Sequence, residues 1–99
     1  MSYRPLPDFV TIKNSEINGL GLFAKEDIKD NISLGISHYI YEEKIIRTPL
    51  GGFYNHSEIP NAKKQRLFNK YYLITLRKIK KGEEITVKYT FPEYKGKLI

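Results

Sequence analysis

The amino-acid sequence predicts a single, mostly-β domain built of short strands. Apolar residues alternate with polar or small ones over short runs, as in half-buried strands. Turn-forming pairs such as Asn-Gly separate several of these runs. No window has the i, i+3, i+4, i+7 apolar spacing of an amphipathic helix. A length of 99 residues also fits one domain.

Composition and charge exclude several classes of protein. The chain is 40% hydrophobic and 28% charged, which is typical of a globular protein rather than a disordered one. Because it has no Cys and only two His, we expect no disulfide framework and no metal site. No segment approaches the roughly 18 apolar residues that cross a bilayer. The N-terminus lacks the features of a signal peptide, so we expect a soluble, cytoplasmic protein without membrane partners.

A net charge of +6 fits simple solubility as well as binding to an acidic ligand. The basic residues form two clusters, at 63–66 and at 77–81. Aromatic residues do not interleave with either cluster, as a platform for stacking bases would require. The sequence therefore disfavours nucleic acid as a partner, although a small basic nucleic-acid-binding domain stays an alternative.

The first third of the chain predicts an arm followed by a hairpin. Residues 1–8 form an extended arm stiffened by two prolines. Runs at 9–13 and 20–24 are predicted strands, and the Asn-Gly pair between them predicts that they form a hairpin. Residues 25–31 are charged and short, which indicates a loop or a single turn.

The remaining predicted strands lie at 32–41, 45–49, 62–65, 71–77 and 85–89. The run at 71–77 is the most regular, and we expect it to be central in the sheet. Pro49 ends the predicted strand at 45–49. Residues 92–99 form a short tail.

The first of three notable motifs is Gly-Leu-Gly-Leu-Phe-Ala at residues 19–24. It matches the loose dinucleotide-binding pattern G-x-G-x-x-A, but that pattern needs a helix directly after it. Residues 25–31 are too short and polar for that helix. Two glycines around one residue let backbone approach a ligand closely, although a plain tight hairpin explains them equally well.

The second and third motifs lie in the second half of the chain. Residues 55–61 read Asn-His-Ser-Glu-Ile-Pro-Asn and follow the aromatic pair Phe53 and Tyr54. A polar loop is an equal explanation for this stretch, since Asn and Ser favour turns. Residues 82–89 read Gly-Glu-Glu-Ile-Thr-Val-Lys-Tyr, which alone predicts a turn leading into a strand.

Together, the order and spacing of the three motifs resemble the SET domain, a family of protein-lysine methyltransferases that use S-adenosylmethionine. The resemblance covers residues 9–91. It implies a β-clip-like SET fold of short strands with a C-terminal pseudoknot, preceded by the arm at 1–8 and followed by the tail at 92–99. It also implies S-adenosylmethionine as cofactor and a protein carrying a target lysine as substrate.

The resemblance also implies roles for individual residues. Tyr89 would be the catalytic residue at the methyl-transfer centre, and His56 would contact the adenine mainly through its backbone. Three tyrosines are candidates for the wall of the lysine channel, with ordinary core packing as an equal alternative: Tyr39, Tyr41 and Tyr54. The implied cofactor-binding residues are Gly19, Leu20, Gly21, Leu22, Tyr54, Asn55, His56, Tyr89 and Phe91.

The chemistry of this family suits these residue types. Methyl transfer requires a neutral lysine amine, and deprotonating a free lysine near pH 7 costs roughly 4–5 kcal/mol. An apolar aromatic channel desolvates the ammonium and the sulfonium repels it, so both lower the lysine pKa. No strong general base is then needed, and the Tyr89 hydroxyl would orient the amine. We therefore interpret Glu83 and Glu84 as structural rather than as an acid–base pair.

The sequence departs from the family in two places. Glu58 stands where many members carry a zinc-binding Cys, which agrees with the absence of a metal site. The segment between Asp30 and Tyr54 is short, so part of the substrate groove is missing. A second subunit, giving a homodimer, or the substrate protein itself would complete the groove. A cofactor-binding or protein-binding SET module that has lost catalysis is the alternative.

Overall fold

The computed structural model describes residues 6–89, which form eight strands and one short helix. In chain order these are β1 (Val10–Asn14), β2 (Leu20–Ala24), β3 (Ser33–Tyr41), β4 (Lys44–Arg47), α1 (Pro49–Gly52), β5 (Asn55–His56), β6 (Ala62–Leu67), β7 (Lys70–Thr75) and β8 (Glu84–Val87). The mostly-β prediction is confirmed. None of the described residues forms a helix long and apolar enough to cross a membrane.

The predicted N-terminal hairpin is confirmed. β1 and β2 pair antiparallel, from Val10 opposite Ala24 to Asn14 opposite Leu20. Gly19 has a φ of +49° in the connecting turn, a left-handed conformation that glycine adopts without steric cost.

The strand order is β1-β2-β8-β6-β7-β3-β4, so the last strand in sequence lies inside the sheet. β8 pairs antiparallel with β2 and parallel with both β5 and β6. It joins the N-terminal hairpin to the antiparallel strands β6, β7, β3 and β4. As predicted, β7 is central among these four, between β6 and β3.

The strand predicted at 45–49 is wrong at its end, because a helical turn begins there. β4 stops at Arg47, and Thr48 caps α1 by accepting a hydrogen bond from the Gly51 N–H. Pro49 occupies the first helical position, where its missing N–H costs nothing. A helix of four residues is too short to leave a periodic pattern in the sequence.

Residues 55–56, for which a polar loop was one of two explanations, form the short strand β5. This strand exists only because β8 pairs with it, which no local pattern reveals. The buried core beneath the sheet comprises Val10, Leu22, Ala24, Ile28, Leu34, Leu50, Tyr54, Ala62, Leu73, Ile79, Ile85 and Val87. The predicted pseudoknot depends on the segment from residue 90 onward, which lies outside the described residues.

Candidate active site

The glycine motif and the Asn-His-Ser motif meet at the side chain of Asn55. This side chain is buried, and its Nδ2 lies 3.1 Å from the carbonyl oxygen of Asn18 and 3.2 Å from that of Leu20. Those two carbonyls flank Gly19. Asn55 therefore holds the glycine turn in a fixed position against β5.

The third motif joins them through Glu84. Its Oε2 accepts a hydrogen bond from Asn55 Nδ2 at 2.8 Å, and its carboxylate accepts from Ser15 Oγ at 2.8 and 2.9 Å. A Cβ atom at position 21 would collide with this carboxylate, so the space left by Gly21 is filled by Glu84. Sequence reasoning assigned Glu84 only to the turn before Tyr89 and missed this contact. The pairing of β2 with β8, which sets Phe23 opposite Glu84, is what brings the carboxylate here.

Asn61, the last residue of the second motif, attaches the Asn-His-Ser loop to β8. Its Nδ2 donates to the backbone carbonyl of Glu84 and its Oδ1 accepts from the backbone N–H of Thr86, both at 2.8 Å. The side chain is buried. These two side-chain hydrogen bonds take the place of backbone hydrogen bonds that a neighbouring strand would make. They keep β8 in register with Asn55 on β5.

The imidazole of His56 positions the backbone at Tyr89. His56 Nδ1 accepts a hydrogen bond from the Tyr89 N–H at 2.9 Å, and Nε2 lies 2.7 Å from Glu58 Oε2. Because Nδ1 is an acceptor, Nε2 carries the proton and donates it to Glu58. This hydrogen bond, with the nearby Lys88 charge, lowers the pKa of the Glu58 carboxyl below its ordinary value. Both ring nitrogens are thus engaged within the protein.

The phenol of Tyr89 lies beside the residue that precedes Asn55. Its hydroxyl donates to the Tyr54 carbonyl oxygen at 3.4 Å, and its ring centroid is 5.0 Å from His56 and 6.1 Å from the Tyr54 ring. Partial burial raises the pKa of the Tyr89 phenol, against the opposing charge of Arg47, so the hydroxyl keeps its proton at neutral pH. Tyr89 remains 43% exposed, which leaves the phenol accessible from solvent.

Behind Tyr54 lies a buried cluster of rings that sequence reasoning missed. The His38 ring makes edge contacts with Tyr54 and Tyr71, at centroid distances of 6.3 and 6.1 Å. Burial, followed by the charges of Lys64 and Arg47, lowers the pKa of His38 from 6.5 to about 4. His38 is therefore neutral at physiological pH. Its position in the alternating β3 pattern was the only signal of its burial in the sequence.

The structure does not bring the other two predicted channel tyrosines into this site. Tyr39 and Tyr41 lie on the face of β3 opposite His38, and they are 39% and 63% exposed. Phe91 lies outside the described residues. Within residues 6–89, no three His, Asp or Glu side chains cluster closely enough to hold a metal ion.

A family model described as the SET domain matches residues 34–90, more than half of the chain. No curated protein sequence matches the chain significantly.

Several solved structures share the fold. A candidate histone methyltransferase from Plasmodium falciparum has a TM-score of 0.71 and 27% identity, over 89% of this chain and 98% of that one. The methyltransferase domain of human PR domain-containing protein 2 also has a TM-score of 0.71, with 18% identity over 89% and 81% of the two chains. A humanized mutant of the Chaetomium thermophilum Polycomb Repressive Complex 2 has 22% identity and a TM-score of 0.71, over 84% of this chain but 15% of that chain. The last two likenesses concern the fold alone.

Proposed function

Because the chain belongs to the SET-domain family, we propose that it transfers a methyl group from S-adenosylmethionine to the side-chain amine of a protein lysine. The observation that carries the proposal is the convergence of three distant motifs. Asn55 contacts the glycine turn, and Tyr89 contacts both neighbours of Asn55. The proposed SET domain spans residues 9–91.

The residues at this convergence suit the polarity of a cationic donor such as S-adenosylmethionine. Within residues 6–89, no atom apart from Gly19 and its two chain neighbours lies within 4 Å of the place where a Cβ of Gly19 would stand, which leaves room for a ligand at this backbone. The Glu84 carboxylate and the phenol of Tyr89 supply negative or neutral polar groups that suit a sulfonium. We assign the cofactor to the backbone of residues 19–22 and to Tyr54, Asn55, His56, Tyr89 and Phe91.

Asn55 would meet the cofactor through its side-chain oxygen, because its nitrogen already donates to protein acceptors. His56 would contribute backbone groups, since both of its ring nitrogens have protein partners. When bound, the cofactor supplies an activated methyl group. The chain's own contribution is to fix the turn, the amide and the phenol relative to one another.

Tyr89 is the residue we assign to the transfer itself. Its protonated hydroxyl donates a hydrogen bond to the Tyr54 carbonyl oxygen and can accept one from the lysine amine. The Tyr54 and Tyr89 rings desolvate an approaching ammonium and so lower its pKa. A second subunit or the substrate protein would complete the groove.

Methyl labelling tests the proposal directly. We expect the purified chain to transfer labelled methyl from S-adenosylmethionine to lysines of a protein extract, located by mass spectrometry. Tyr89→Phe should lower transfer at least about 100-fold, because the hydroxyl orients the amine at attack distance.

Tyr72→Phe removes a phenol from the opposite face of the sheet and should keep wild-type transfer. Cofactor binding by calorimetry without any transfer would instead support a module that has lost catalysis. Equal transfer by Tyr89→Phe and wild type would remove Tyr89 from its assigned role.

A further inference from the structure

The sheet face that points away from the candidate active site carries a set of tyrosines and lysines. Tyr39 lies directly opposite Lys70 on β7, and Tyr41 lies opposite Lys44 on β4. Tyr72 follows Lys70 by two residues, so both point to the same face. We define the tyrosine–lysine face as Tyr39, Tyr41, Lys44, Lys63, Lys70 and Tyr72.

This face is open to solvent. Tyr39, Tyr41, Lys44 and Lys63 are exposed, while Lys70 and Tyr72 are half-buried. A concavity of about 350 Å³ lies beside Tyr72 and is bordered by Gln65 and Leu67 of β6. His38 and Leu73, which point to the opposite face, are buried. The tyrosine–lysine face is therefore separate from the cluster around Tyr54 and Tyr89.

The charge of these strands is of one sign. β3, β4, β6 and β7 contain no Asp or Glu in their full lengths. Their cations are Lys44, Arg47, Lys63, Lys64, Arg66 and Lys70. A second copy packed on this face would bring lysines against lysines, which disfavours self-association. The complementary partner is a polyanion.

We propose that the tyrosine–lysine face binds single-stranded nucleic acid. Tyrosine rings that stand on an open sheet provide stacking surfaces for unpaired bases, and lysines between them can contact the phosphates. The primary sequence hides this arrangement, because the tyrosines and lysines alternate across neighbouring strands through the register Tyr39–Lys70 and Tyr41–Lys44. A purely acidic protein would use the lysines but leave the tyrosine rings without a specific role.

Fluorescence anisotropy with the full chain tests the proposal. The probes are fluorescein-labelled 12-nucleotide oligouridylate and oligodeoxythymidylate, with a labelled 12-residue polyglutamate as a polyanion without bases. We expect both oligonucleotides to bind more tightly than polyglutamate, with affinity that falls as salt rises. The ratio between the two oligonucleotides reports whether RNA or DNA is preferred.

Paired variants separate charge from stacking. Lys63→Gln with Lys70→Gln should reduce the slope of log affinity against log salt by about 1.4, at roughly 0.7 per phosphate contact. The control, Lys25→Gln with Lys29→Gln, changes net charge equally on exposed residues outside this sheet and should keep the slope. Tyr39→Leu with Tyr72→Leu keeps apolar bulk but should weaken oligonucleotide binding at least about five-fold per ring, while the corresponding Phe variants retain it.

Three results would overturn the proposal. One is polyglutamate binding as tight as oligonucleotide binding, which would indicate an acidic protein partner. Another is oligonucleotide affinity unaffected by the two Leu substitutions in a variant that keeps the wild-type circular dichroism spectrum. The third is a dimer in light scattering that the Leu substitutions dissociate, which would make this face a contact between copies.

Discussion

At the scale of single residues, Glu84 links parts of the chain that are far apart in sequence. Its carboxylate accepts hydrogen bonds from Ser15 and Asn55 and fills the space above Gly21. The family resemblance implies that the motifs at residues 19–24, 55–61 and 82–89 meet at one pocket. The contact itself was not predictable, since it depends on the register of β2 against β8.

Glu84→Gln should therefore destabilise the chain by about 1.5–3 kcal/mol, the range for hydrogen bonds to a charged group. The amide also presents donors toward the Asn55 nitrogen, so the glycine turn should loosen and cofactor affinity should fall. Urea unfolding and calorimetry measure the two effects. Glu83→Gln is the matched control, because Glu83 makes a partly exposed pair with Arg77 worth less than about 1 kcal/mol. Equal loss in both variants would contradict a special role for Glu84.

His38 predicts a pH dependence of stability. The unfolded chain binds a proton at this residue below its ordinary pKa of 6.5, whereas the folded protein does so only near its lowered pKa of about 4. Stability is therefore complete above pH 6.5 and is lost as the pH falls toward 4, by up to about 3 kcal/mol.

Thermal unfolding between pH 7 and pH 4.5 measures this slope. His38→Asn should flatten it, even if the variant is less stable throughout. Glu58 and Glu83 also have pKa values below the ordinary value of 4.5, so the folded protein loses stability when they take up protons. That loss begins only as the pH falls below about 4.5, outside the range of this experiment. An unchanged slope in the His38 variant would show that the imidazole is not what titrates.

At the scale of elements, α1 illustrates what local patterns leave out. The run of strands was predictable from alternation, but the turn at Pro49–Gly52 was not. It forms because Thr48 caps it and donates its hydroxyl proton to the Ile36 carbonyl on β3. The docking of α1 on β3 then sets the start of the segment that leads to Tyr54.

The two glycines of α1 give a direct test of this docking. A Cβ on Gly51 would collide with the Ser37 carbonyl on β3. A Cβ on Gly52 would meet no atom within 4 Å among residues 6–89, its chain neighbours and the α1 backbone aside. Gly51→Ala should destabilise the protein by about 1–3 kcal/mol through overpacking. Gly52→Ala should stay within about 0.5 kcal/mol of wild type. Urea unfolding of the two variants measures this difference in stability. Similar unfolding midpoints for both would contradict the docked position of α1.

At the scale of the whole molecule, β8 joins the N-terminal hairpin to the rest of the sheet. The β1–β2 hairpin pairs strands that follow one another in the sequence, as predicted. β8 instead pairs with β2, β5 and β6 at once. Only the family resemblance, and no property of residues 84–87 themselves, indicated that this segment meets the Asn-His-Ser loop.

Asn61 should be the side chain that most strongly secures β8. Asn61→Ala leaves the Thr86 N–H and the Glu84 carbonyl without partners in a buried setting, at a cost of about 2–4 kcal/mol. Hydrogen exchange should show the Thr86 amide losing protection before those of β7. Asn61→Asp keeps the acceptor for the Thr86 N–H but sets a carboxylate oxygen against the Glu84 carbonyl oxygen, so it should destabilise the protein at least as much as Asn61→Ala. Asn69→Ala, in the exposed turn between β6 and β7, is the neutral control, and a comparable loss there would contradict the assignment.

The interior position of β8 bears on how the protein is made. A ribosome releases β2 and β6 before the strand that separates them, so nascent chains carry two open sheet edges until synthesis passes residue 87. Open edges recruit chaperones or aggregate. Stalled or truncated translation products that lack β8 should therefore be cleared by quality control rather than accumulate as partly folded protein.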